Sequence, residues 1–507
     1  MTDQINAKSP TKSNSRSISA AFAVFGFLLS LIIGLLVTGV SNSLYLLVAV
    51  LGLIAFIVTF SKLDLGVAAM VFILYTQMYI LVGERYGVTD VAQGLIMLLV
   101  LSMGVRWVVY PPEIPQGWMR PLFLVAFYCL VCFASVMFAV FPPVAMPIAI
   151  ETLKSGIIAM IIAVTLKSKE SFRLVIWTLL IAGIFLGTLS VIQFTLGTYT
   201  NDYGGYAYAV LSNISGDTSD YRLGGPVADP NYYAQMMLVL VPLALDRLWN
   251  EKQRLPKILA AWALGVTSLT VLLTYSRGGF IALAIIVVAM VFIFYRGQLH
   301  YLLAVAVLAL LLVNILPSRF TERISTLTEL VPSKSSSSIV SQDYSFRGRT
   351  SEMLVAIQMF ADYPIMGVGL GNYQELYQKY AQRFGMEFRS EVRQAHNLYL
   401  EVASETGLMG LFSFMLLLIV ILKSIWDGRK ALLNKGLVSV SNMVTAYGLG
   451  FIGYLLAAFF IHNAYPRNFW VIAGIALAIP RMIEVEIAAT DELKHKHKFL
   501  QGNGNGA

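Results

Sequence analysis

A peptide backbone inside lipid finds no water to bond, so a chain that repeatedly presents apolar runs of about 17 to 25 residues must carry them across a bilayer as helices. Fourteen such runs can be read here, roughly at 19–40, 44–61, 66–83, 90–110, 120–140, 144–166, 172–196, 230–247, 257–275, 279–296, 300–316, 396–422, 440–461 and 468–484. They predict an all-α fold: a polytopic membrane helical bundle of about fourteen transmembrane helices. Composition agrees, with 57% of residues hydrophobic and only 13% charged, where a soluble domain carries roughly a quarter.

The net charge of +8 therefore reports topology and contact with anionic lipid, and no nucleic-acid partner is expected. Lys8, Lys12 and Arg16 precede a first run long enough to be retained as a span rather than cleaved as a signal peptide. If that end is cytoplasmic, the clusters Lys167/Lys169/Arg173, Lys252/Arg254/Lys257 and Lys423/Arg429/Lys430/Lys435 all fall on one face with the tail of Lys494, Lys496 and Lys498. Short connections on the other face hold only single arginines such as Arg85 and Arg467. Both termini are thus expected in the cytoplasm. The expected organisation is an N-terminal tail 1–18, helices over 19–316 with an outer loop near 197–229, a large extracytoplasmic loop 317–395, helices over 396–484, and a C-terminal tail 485–507.

A loop as long as 317–395 is uncommon without structure of its own. Met353, Ile357 and Phe360 recur at helical spacing, and "NYQELYQKYAQRF" sets Tyr373, Leu376, Tyr377, Tyr380 and Phe384 on one stripe, with Asn372 as N-cap and Glu375 three residues on. Two amphipathic helices are expected, lying on the outer membrane surface or capping a cavity, after a hinge at "KSSSS". Cys129 and Cys132 form a C-x-x-C inside an apolar run with no second ligand pair, so they read as packing residues.

Chemistry concentrates at the expected outer ends. Arg277 in "YSRGGFIAL" opens a span beside two glycines, where free backbone N–H groups suit an anion. Arg347 and Arg349 in "FRGRT", with Arg393, add guanidiniums that can clasp a phosphate or diphosphate bidentately. His396 in "QAHNLYLEVASETGL" stands where a polar stretch turns apolar, with Asn397 as a helix cap and the carboxylates Glu401 and Glu405 following on successive turns. "GVGLGN" at 367–372 lacks a preceding strand, so it reads as a glycine-rich turn between helices. Glu151 and Lys154, three apart inside a span, read as a neutralising pair facing the bundle interior. His300, His462, His495 and His497 have no metal-ligand pattern around them, and no D-x-D pair asks for a divalent cation. No cofactor is expected.

Four stretches taken together, "GGPVADPNYYAQMMLVLVPLAL", "YSRGGFIAL", "RTSEMLVAIQMFADYPIMGVGLGNY" and "AHNLYLEVASETGLMGL", resemble the membrane O-antigen ligase family, which includes O-antigen polymerases and protein O-oligosaccharyltransferases. Many members carry tryptophan where Met353 stands. The resemblance implies a metal-independent inverting glycosyltransferase in the bacterial inner membrane, acting on its outer face. The implied donor is a glycan on undecaprenyl diphosphate, and the acceptor is lipid A core, a growing polysaccharide or a protein. The family's loop histidine corresponds to His396, its span-end arginine to Arg277, and its arginine before the loop helix to Arg349. Arg222 and the "DPN" of Asp229 to Asn231 match more loosely. Secondary transport, as in bicarbonate carriers, and flipping of a lipid-linked glycan are the alternatives. A transporter gathers its polar residues at the bilayer midplane, whereas this chain gathers them at the outer mouth.

Overall fold

The computed structural model describes residues 57–87, 91–109, 119–215, 218–295, 344–383, 393–462 and 465–504. The expected spans at 19–40 and 300–316, most of that at 44–61, and Phe384 lie outside the described residues. The chain divides into two compact units, residues 1–70 with 90–116, and residues 71–89 with 117–507. In the first, Arg106 Nη1 donates to the Phe60 carbonyl at 3.4 Å.

In chain order the elements are α1 (Leu63–Tyr75), α2 (Met78–Tyr86), α3 (Val91–Val109), α4 (Met119–Val136), α5 (Pro142–Thr165), α6 (Lys169–Leu196), β1 (Tyr208–Ser215), β2 (Thr218–Gly225), α7 (Pro230–Asn250), α8 (Arg254–Leu273), α9 (Arg277–Tyr295), α10 (Tyr344–Asp362), α11 (Asn372–Arg383), α12 (Leu398–Asn434), α13 (Val438–Ala457) and α14 (Arg467–Gly504). The protein is mostly helical and multi-pass. Among the described residues seven helices are long and apolar enough to cross a membrane, and an eighth if α1 and α2, bent by 65° at their junction, count as one span. The expected fourteen are therefore not all found. The run at 120–140 gives only the short apolar helix α4, and α7 and α14 are not among the seven. The helix at 468–484 also runs on through the expected tail to Gly504.

The all-α expectation also needs correcting, because residues 208–225 form an antiparallel hairpin with Ala209 opposite Leu223 and Leu211 opposite Tyr221. The two strand sequences, YAVLSNIS and TSDYRLGG, mix apolar residues with Ser, Asn, Asp and Gly without a strict alternation.

Helix α7 is the centre of the larger unit, packed by α8 and α13 and also touching α9 and β2. Close approach needs small residues where backbones cross. At Gly474 of α14 an added Cβ would stand 2.7 Å from Ala159 Cα of α5, so any larger residue would part the two helices. Both cysteines are buried and unbridged.

A second core joins α10 and α11. Tyr373, Leu376, Tyr377 and Tyr380 bury the predicted stripe against Val355, Ala356, Met359 and Val368, with Ala395 completing it. In α10 the predicted face is wrong, since Ile357 is exposed and the buried face carries Glu352, Val355, Ala356 and Met359 instead. Asn372 does not cap its own helix either. Its Oδ1 accepts from Phe141 N at 2.6 Å and its Nδ2 donates to the Leu370 carbonyl at 3.0 Å, which ties the glycine-rich turn to the start of α5. That turn docks against a break in α12 at Gly407, whose φ of +64° and ψ of −163° are open in practice only to glycine. Leu408 N and Met409 N then reach the Pro364 and Ile365 carbonyls, while Val368 N and Gly369 N reach those of Ser404 and Glu405.

At the far end of α7, about 30 Å from its start, charged groups latch the bundle. Glu251 accepts from Arg173 Nε and Arg247 Nη1, both at 3.2 Å, and from Trp177 Nε1 at 3.3 Å. Lys169 Nζ pairs with Glu486 at 2.9 Å. A cavity of about 760 Å³ opens beside these groups.

Candidate active site

Three helices, α7, α9 and α12, begin in the same way and in the same place. Asp229 caps α7, its Oδ1 accepting from Asn231 N at 2.7 Å and Tyr232 N at 2.9 Å, with Pro230 next in the chain. Ser276 caps α9, its Oγ taking Gly279 N at 3.3 Å. Asn397 caps α12, accepting from Tyr399 N at 3.0 Å and Leu400 N at 3.1 Å. The residue before each cap, Ala228, Tyr275 and His396, is held left-handed at φ of 51°, 51° and 45°. Such strain in non-glycine residues is characteristic of functional sites.

Residues 458–462 join these starts. Asn397 Nδ2 donates to the Phe459 carbonyl at 3.3 Å, and a Cβ on Gly278 would meet the Phe460 ring at 2.7 Å. His462 lies edge to face with His396, ring centres 5.2 Å apart, and feels the charge of Asp229. Each helix start carries about half a unit of positive charge on unbonded N–H groups, so their meeting point favours an anion.

His396 itself is 24% exposed, and its Nε2 lies 3.7 Å from Glu352 Oε2. Glu352 comes from α10, one turn beyond Arg349, with only 2% of its side chain exposed. Its other oxygen, Oε1, takes Arg393 Nη1 at 3.3 Å. Burial, then His462, Arg349 and Arg393, hold the His396 imidazole well below its ordinary pKa. Burial likewise depresses His462, against the pull of Asp229. Both rings are therefore neutral at pH 7, and His396 carries an available lone pair.

The structure thus brings His396, Arg349, Arg393, Asn397 and Asp229 into one neighbourhood, with Arg277 opening the helix that packs on Phe460. Arg222 is buried as a clamp, its Nε donating to the Thr274 carbonyl at 2.8 Å and its Nη2 to Asn231 Oδ1 at 3.1 Å. It fixes the hairpin to the turn that precedes Arg277. Glu405 turns elsewhere, accepting from Tyr373 N at 3.3 Å and so securing α11 to α12. Glu401 follows Asn397 in the first turn of α12. The side chain of Arg347 lies outside the described residues. Glu151 pairs with Lys154 at 2.7 Å as expected, but it is half exposed rather than interior, and Arg467 joins the pair while lying 4.5 Å over the Tyr79 ring.

Sequence reading missed Glu352 and His462. Glu352 looked like one more loop carboxylate, and His462 is remote in the chain. A signal existed, since the pattern H-N-x-Y of 396–399 recurs at 462–465. Among the described residues no group of three or more His, Cys, Asp or Glu is arranged to hold a metal ion.

No curated protein matches the chain. A family model described as O-antigen ligase does match, over residues 261–415, a stretch that runs from within α8 into α12 and contains Arg277, Arg349, Glu352, Arg393 and His396. Over that stretch the chain is similar to the O-antigen ligase family, which supports a membrane glycosyltransferase-type role in O-antigen biosynthesis.

Proposed function

We propose that the protein transfers a glycan from undecaprenyl diphosphate to an acceptor hydroxyl at the outer face of the bacterial inner membrane, as an inverting, metal-independent glycosyltransferase. The observation that carries this reading is a neutral, partly buried imidazole next to guanidiniums and three converging helix starts. His396 takes the proton of the acceptor hydroxyl as its oxygen attacks the anomeric carbon. The carbon–oxygen bond to the diphosphate breaks on the opposite face, and the prenyl diphosphate leaves as an anion. Arg277 and Arg349, helped by Arg347 and Arg393, neutralise that developing charge, while Arg222, Asp229, Asn231 and Asn397 hold the helix starts in register. Glu401 and Glu405 support the first turns of α12. Acceptor hydroxyls are poor nucleophiles at neutral pH, so a general base contributes roughly 10²–10⁴-fold.

In this reading the helices α10 and α11 belong to the outer loop 317–395, and both chain ends are cytoplasmic. The acceptor is lipid A core, a growing polysaccharide or a protein, and the accumulated donor decides among them. In cells making His396→Ala, undecaprenyl-linked long chains mark a ligase and single repeat units a polymerase. Wild-type surface glycan from that variant would refute the proposal. The same His396→Ala should suppress turnover more than donor binding.

A further inference from the structure

Among the described residues Glu352 is a carboxylate that faces both the imidazole and a candidate diphosphate-binding arginine. It reaches His396 Nε2 at 3.7 Å through one oxygen and Arg393 Nη1 at 3.3 Å through the other. A neutral imidazole carries its hydrogen on only one nitrogen, and the second nitrogen accepts. A carboxylate opposite Nε2 selects the tautomer with hydrogen there, because only an N–H stabilises a buried carboxylate. The lone pair then belongs to Nδ1, which is buried from solvent and has no hydrogen-bond partner. His462, edge-on to the ring, blocks its free rotation. The 3.7 Å gap is longer than a hydrogen bond, as such pairs often are before substrate tightens them.

Building on the glycosyl-transfer reading, we propose that Glu352 is a positioning residue that fixes the His396 tautomer and orientation so that Nδ1, not Nε2, is the base that receives the acceptor proton. In the step, the acceptor O–H bond breaks with its proton passing to Nδ1. The oxygen's electron pair forms the new bond to the anomeric carbon, and the electrons of the old bond leave with the diphosphate. The imidazolium so formed is balanced by Glu352 until product departure admits water to Nδ1 and the proton passes to it. Because the same carboxylate holds Arg393, the base and a donor-side cation are set by a single side chain, and acceptor activation is tied to the position of the diphosphate.

The test uses the full chain purified in detergent, with undecaprenyl-diphosphate-linked oligosaccharide as donor and membrane extract as acceptor, reading the release of undecaprenyl diphosphate. Glu352→Gln keeps the shape and an oxygen for Arg393 but removes the charge. It should lower kcat by about 10²-fold while leaving the donor KM within about two-fold, and Glu352→Asp should recover part of the loss. The groups facing His396 are Glu352, Arg349, Arg393 and His462, with Asp229 behind His462. Deleting the negative charge of Glu352 makes the imidazolium harder to form, so the acid limb of the pH–rate profile should move to lower pH. Added to His396→Ala, Glu352→Gln should cost nothing more, since residues that act as one unit are non-additive. Losses that multiply in the double variant, or a loss confined to donor KM, would overturn this proposal and leave His396 as the base. Full activity in His396→Ala would overturn both. Should Glu352→Gln lower the melting temperature, Glu352→Asp carries the same comparison with the charge retained.

Discussion

Replacing Gly407 by alanine tests whether the break in α12 holds the active end together. The position sits at φ +64° and ψ −163°, a region costing of order 1–3 kcal/mol for any residue with a Cβ. Conformation is only part of the cost, because the added Cβ would stand 2.3 Å from the Ile365 carbonyl oxygen and 2.5 Å from Met366 N. Both are backbone atoms that cannot swing aside, so the turn at 364–369 must lift. Lifting it strains four backbone hydrogen bonds, those of Leu408, Met409, Val368 and Gly369, each worth about 1 kcal/mol net. A total near 4 kcal/mol follows if half of them are lost and the strain is intermediate. The turn joins the helix carrying Glu352 to α11, and Gly407 lies about 16 Å along the chain from His396. Activity should therefore fall together with stability. Gly265→Ala is the control: that residue is exposed in α8 with nothing within 4 Å of the added methyl, and helix propensity favours alanine there by up to about 1 kcal/mol. Matched thermal scans in detergent and donor turnover would be measured for both variants. If Gly407→Ala melts and turns over like the parent, the docked turn does not organise the site.

Turnover should also stay flat as pH falls from 7 through the ordinary histidine range and decline only well below it. As the proposed base His396 works when neutral, and its pKa is depressed by burial, His462, Arg349 and Arg393. A half-maximal point near pH 6.5 or above in kcat against pH would contradict that sign. At the opposite end of the bundle, Glu251 is held below the usual carboxylate range: burial acts against its charge, and Arg173 and Arg247 outweigh it with help from Trp177. Its contribution is thus complete at neutral pH and lost as pH falls through its folded pKa. Glu251→Gln should cost about 2–3 kcal/mol, seen as a lower melting temperature at pH 7 that converges with the parent in acid, with kcat unchanged.

What could be read from sequence divides along physical lines. The α11 stripe was legible because Tyr373, Leu376, Tyr377 and Tyr380 obey the helical period and nothing competes with it. In α10 the same method chose Met353, Ile357 and Phe360, because it cannot foresee that a charged Glu352 is buried by pairing with Arg393 and His396. The hairpin of 208–215 and 218–225 escaped notice because its strands lack a period of two: Ala209, Val210 and Leu211 run together, and β2 ends in two glycines. Arg277, Arg349 and His396 were singled out through spacing and resemblance, whereas His462 comes beside His396 only through folding. Asn372 was assigned to the wrong partner: a side chain at a helix start can serve the neighbouring turn as readily as its own helix.

The left-handed residues at 228, 275 and 396 have a consequence for how the mouth of the bundle can change. Each spends conformational energy to aim a capped helix start inward, and all three lean on residues 458–462. Relaxing one would change the aim of that helix start while leaving the Glu251 latch at the far end of α7 in place. The backbone strain is thus confined to the rim where the proposed chemistry lies, while Glu251 clamps the other end of α7.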